Sequence, residues 1–140
     1  MKTLVRQLAE RLSMESFIVD AAGGYDLCID GHALRLEPLG TQMVVRSTLE
    51  AMSQANGELD LEAVRQALRM ATAWARNCPQ ALALDPQGRL VLEARLDMRW
   101  RDLGLLERTL GAQVGILEAL GSFPLQAVSR PKWSSAVWLP

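Results

Sequence analysis

Few side chains in this sequence could make or break a bond, and their spacing limits what each could do. His32 is the only histidine in the chain. A general base needs a reacting group within hydrogen-bond reach, whereas His32 directly follows an Asp30-Gly31 turn, the place of a strand-end surface residue. Cys28 and Cys78 are 50 positions apart, with no Cys-x-x-Cys pair and no basic residue beside them. A disulfide between them has no supporting signal, and both read as partly buried thiols in a reducing compartment. Asp26 and Asp30 share one face of a strand and could pair as acids, although solvated edge charges make the same pattern. Gly23-Gly24 lacks the lysine and hydroxyl of a phosphate loop, and Gly111-x-x-x-Gly115 reads as close backbone packing on a soluble helix. Catalytic, metal and cofactor-binding residues are all predicted to be none, so the chain is not expected to be an enzyme.

The composition places the chain among ordinary globular domains. It has 140 residues, 49% hydrophobic and 22% charged, and 15 basic against 16 acidic side chains leave a net charge of -1. A chain of this length can bury about two thirds of its unfolded surface in one core. A nucleic-acid-binding domain usually carries a basic excess, so nucleic acid is excluded as an expected partner. The opening MKTLVRQLAERL breaks its apolar run with charges and no stretch approaches a bilayer span, so neither a signal peptide nor stable membrane insertion is predicted.

Periodicity supplies the elements that would position these residues. Leu4, Leu8 and Leu12 recur every four residues and predict a helix over Thr3 to Ser13. After the brief apolar run Phe17-Ile18-Val19, three strands follow: Tyr25 to Ile29, His32 to Glu37 and Gln42 to Thr48. Asp30-Gly31 joins the first pair as a primed turn and Pro38-Leu39-Gly40-Thr41 joins the second. Leu49 to Glu58 reads as a connector. Asp60 caps a helix over Leu61 to Asn77, whose broad stripe includes Leu61, Val64, Ala67, Leu68, Ala71, Trp74 and Ala75. A hairpin over Ala81 to Leu96 turns at Asp85-Pro86-Gln87-Gly88 and keeps Leu90, Leu92, Ala94 and Leu96 on one face. Asp102 caps a last helix that Gly121 and Pro124 are expected to stop. The order α-β-β-β-α-β-β-α predicts an α+β fold with a twisted antiparallel sheet: one domain over 1–124 and a tail over 125–140.

With no chemistry to place, surface remains. The second helix and the hairpin carry more apolar positions than a small core needs, and large apolar patches mark interaction sites. The segments LVRQLAERL, GYDLCIDGHALRLEP, MVVRS and ALRMATAWARNCPQALALDPQGRLVLEARL resemble the small cytoplasmic chaperones of type III secretion systems. The likeness is greatest to the YscB/PscB branch and spans about Leu4 to Leu120. This resemblance implies a heart-shaped α+β dimer in the cytoplasm of a Gram-negative bacterium, peripheral at the secretion apparatus. It implies a heterodimer with a SycN-like small chaperone and, as cargo, the N-terminal region of a YopN/PopN-type gatekeeper protein. Carried onto this chain, it places Leu68, Met70, Trp74, Leu82 and Leu84 at the dimer interface, and Leu4, Leu8, Phe17, Val19, Leu34 and Val44 at the cargo surface. Two other readings stand beside it: a homodimeric chaperone for a secreted effector, and a small-ligand-binding α+β domain.

Overall fold

The computed structural model describes residues 2–11, 19–54, 57–99 and 102–129. In chain order the elements are α1 (Lys2–Arg11), β1 (Tyr25–Ile29), β2 (His32–Leu39), β3 (Gln42–Thr48), α2 (Leu61–Trp74), β4 (Ala81–Leu84), β5 (Leu90–Asp97) and α3 (Leu103–Ser129). The five strands form one sheet in the order β1-β2-β3-β5-β4, each pair antiparallel. This is the predicted α+β architecture.

The turns form where the chain supplies their residues. Asp30 and Gly31 both take positive φ, 51° and 81°, which closes the two-residue hairpin between β1 and β2. The β2–β3 connection is tighter than expected, because β2 runs through Pro38 to Leu39 and Gly40-Thr41 alone make the turn. In the β4–β5 hairpin the Gly88 N–H donates to the Asp85 carbonyl at 2.9 Å, and the Asp85 carboxylate accepts from the Gln87 and Arg89 N–H groups at 2.9 and 2.8 Å. That Asx arrangement satisfies backbone donors that the tight loop would otherwise leave to water. The Leu49–Glu58 connector holds a 3₁₀ turn over Glu50–Met52, and Leu49 and Met52 are core residues.

Register puts Tyr25, Leu27, Leu34, Leu36, Met43, Val45, Leu92, Ala94 and Leu96 on one sheet face, and among the described residues all three helices cover that face. The core falls into two clusters. One joins α1, β1, β2 and the first half of α3; the other joins α2, β4, β5 and the stretch of α3 from Ile116 to Leu120. Gln113 stands between them, its Nε2 donating to Ser47 Oγ at 3.1 Å and to the Leu92 carbonyl at 3.0 Å.

Two boundaries differ from the sequence expectation. The expected end of the first helix at Ser13 falls in the stretch 12–18, outside the described residues. α2 ends at Trp74, with Asn77 and Cys78 N–H groups turning back onto the Trp74 carbonyl. α3 runs past Gly121 and Pro124 to Ser129, crossing the boundary expected at residue 124. Glycine lowers helix propensity, and proline removes a backbone bond and crowds the carbonyl four residues back. The buried face of α3 runs from Leu106 to Leu120, and the helix continues through both residues after it. Trp133 and Trp138 lie outside the described residues.

Candidate functional site: two interaction surfaces

The polar candidates are dispersed by the fold. Cys28 and His32 sit on opposite faces of the sheet, which rules out a thiol–imidazole pair. Cys28 is exposed, contrary to the expectation of partial burial; its parity in β1 points it away from the helices. Cys78 is half-buried against the α2 cluster, and both thiols are free. His32 Nε2 lies 4.0 Å from Glu118 Oε2 on α3, so this residue bridges two elements. Asp26 pairs with Arg35 at 3.0 Å and not with Asp30.

The sheet face away from the helices is closed by charge. Arg35 joins Asp20, Asp26 and Glu37, Glu37 joins Arg46, Arg46 joins Glu93 at 3.0 Å, and Glu93 joins Arg95 at 3.4 Å. Val44 belongs to this face. It lies in register between Glu37 and Arg95 and is 1% exposed. Alternating charges that satisfy one another leave little apolar surface for a partner.

The first uncovered surface is α2 with the edge strand β4. Asp60 starts the helix, its carboxylate accepting from the Glu62 and Ala63 N–H groups at 3.1 and 3.2 Å. Trp74 Nε1 donates to the Gln80 carbonyl at 3.1 Å and ties the helix end to β4. Ala63, Ala67, Met70 and Trp74 face the core. A second stripe, Leu61, Val64, Leu68, Ala71 and Ala75, recurs at alternating spacings of three and four, about a quarter turn away. Leu61 is 71% exposed, Leu68 52% and, on β4, Leu84 62%. Of the residues expected at a dimer interface, Leu68 and Leu84 are therefore open, while Met70, Trp74 and Leu82 are partly buried against the core beneath them. Sequence reading missed Leu61 as an interface candidate; its seven-residue step to Leu68 was the available signal.

The second surface is a groove of about 440 Å³ between α1, α3 and the β1–β2 turn. Leu8, Ile29, Leu110 and Val114 line it, with Asp30, Glu107 and Glu118 at its polar positions. Gly111 and Gly115 also line it, and a Cβ on either would meet nothing within 4 Å. Among the described residues no close packing requires these glycines, contrary to the expectation drawn from their spacing. The residues expected to hold cargo divide sharply. Leu4, Leu8 and Leu34 are core residues of the first cluster, Leu8 also lining the groove, and Val44 is walled by charge; among the described residues of this set Val19 alone, 40% exposed, presents open surface. The four-residue leucine period of α1 marked its buried stripe and could not also be its outer one. Phe17 lies outside the described residues.

The sequence model of the Tir chaperone protein (CesT) family matches residues 3–120. The chaperone protein YscB of Yersinia enterocolitica is 36% identical over 137 residues, covering 96% of this chain and 100% of that protein. Among solved structures, the Yersinia pestis type III secretion chaperone SycH in complex with a stable fragment of YscM2 matches with a TM-score of 0.63 at 18% identity, over 85% of this chain and 98% of that one. The ExsC–ExsE complex matches with a TM-score of 0.63 at 19% identity, over 84% and 87%. At such identities the structural likeness shows the fold.

Proposed function

The chain belongs to the Tir chaperone protein (CesT) family, and on that premise we propose that it is a type III secretion chaperone of the YscB kind, acting as one subunit of a heterodimer. The second subunit is a SycN-like small chaperone, and the cargo is the N-terminal region of a YopN/PopN-type gatekeeper protein. One observation carries this reading: a chain whose core is already filled leaves Leu61, Leu68 and Leu84 largely in water. Fully covering a leucine is worth about 1.5–3 kcal/mol, so a partner that buries three of them gains more than the exposed ion pairs nearby could supply.

The mechanism is shielding by mass action, with no bond made or broken. α2, β4 and the half-buried Met70, Trp74 and Leu82 form the subunit interface. The groove between α1 and α3 takes an apolar cargo segment, and Gly111 and Gly115 let its backbone approach closely. Burial against the chaperone offsets the ordering entropy of a segment that stays unfolded and fit for export. Such work belongs on the cytoplasmic side, before export; no helix among the described residues is long and apolar enough to cross a membrane.

Co-expression with a SycN-like chaperone and the gatekeeper's N-terminal region, followed by size-exclusion chromatography with light scattering, tests the reading. The expected result is poor behaviour or weak self-association alone and a defined complex with both partners. A stable monomer that ignores the second chaperone would refute it, and a stable symmetric dimer would replace it with the homodimeric form.

A further inference from the structure

Resting on that reading of α2, we propose that the surface selects a partner whose facing helix carries an acidic flank, and that an arginine row on this chain disfavours pairing with a second copy. The apolar stripe of Leu61, Val64, Leu68, Ala71 and Ala75 has the three–four spacing of a helix–helix seam. Along its solvent side run Arg65, Arg69 and Arg76, all exposed. Glu62 is the only acid within α2. It is already engaged by Arg65 at 2.7 Å and by Gln66 at 3.3 Å. The Asp60 carboxylate is committed to the helix cap. Arg69 and Arg76 make no ion pair among the described residues.

Shape alone would permit self-pairing. Two copies packed antiparallel through this seam place Leu61 of each opposite Ala75 of the other, large against small. Charge opposes it, because the same arrangement sets the two arginine rows side by side with three arginines against one glutamate on each copy. Like charges brought together at a closing interface repel, while an acidic flank on a different chain turns the same row into attraction and register. The feature that rejects the copy is the feature that recruits the partner.

The test needs only this protein and its charge-reversed form. Arg69→Glu/Arg76→Glu breaks no ion pair of the described chain, and an unchanged thermal transition shows that the fold persists. Sedimentation equilibrium at about 50 mM salt is expected to show wild type and variant associating with each other at least about tenfold more tightly than either associates with itself. At about 1 M salt, where the screening length is about 3 Å, that preference should vanish. Mixed association no tighter than self-association, or a preference that survives high salt, overturns the proposal. Leu68→Asp in the wild-type member separates the two levels of the argument. If it abolishes association while charge reversal has no effect, the seam stands and the charge rule falls; if it changes nothing, the interface reading falls with it.

Discussion

At the residue scale, the informative side chains are structural. Gln113 is fully buried and satisfies a serine hydroxyl and a strand carbonyl, so Gln113→Ala leaves two buried acceptors without their donor. A loss of about 2–3 kcal/mol is expected, read from urea melts. Asp20 gives a pH dependence. Its carboxylate accepts from the Arg35 guanidinium and from the Gly24 and Ala22 N–H groups, and these bonds, led by Arg35, hold its pKa below the usual carboxylate range. In the unfolded chain an aspartate takes up its proton near about pH 4, whereas in the folded chain it does so only at lower pH. The Asp20 contribution is therefore complete above that value and is lost as pH falls through the folded value. Thermal melts between pH 5 and pH 2 should show a gentler acid decline for Asp20→Asn than for wild type.

At the scale of elements, three glycines separate folding from function. Gly88 has φ of 80° at the hairpin turn, so Gly88→Ala should destabilise by about 1 kcal/mol in urea melts. Gly111 and Gly115 are mid-helix with open space at Cβ, so alanine at either should stabilise by up to about 1 kcal/mol. Leucine at either would fill the groove and is expected to reduce capture of a gatekeeper fragment without lowering the melting temperature; undiminished capture would remove the groove from the account. The elements themselves were largely legible. Strand parity from Leu90 to Leu96, the Asp30-Gly31 and Asp85 turns and the Asp60 and Asp102 caps are local signals, and each is seen in the structure. What was not legible was global. The leucine stripe of α1 looks the same whether a core or a cargo covers it. Val44 is closed off by Glu37 and Arg95, which come from two other strands.

At the scale of the molecule, the fold has one finished side and one unfinished one. The outer sheet face is sealed by ion pairs that answer one another, from Asp20 across to Arg95. The α2–β4 face keeps its leucines in water. A sheet edge and an apolar helix side by side are an opening for another chain. Hydrogen–deuterium exchange of the chain alone and mixed with the proposed SycN-like partner tests this directly. The account predicts slower exchange in α2, from Leu61 to Trp74, and in β4, from Ala81 to Leu84, with the β2 and β3 amides unchanged. Protection that appears elsewhere and leaves α2 and β4 as they were would contradict it.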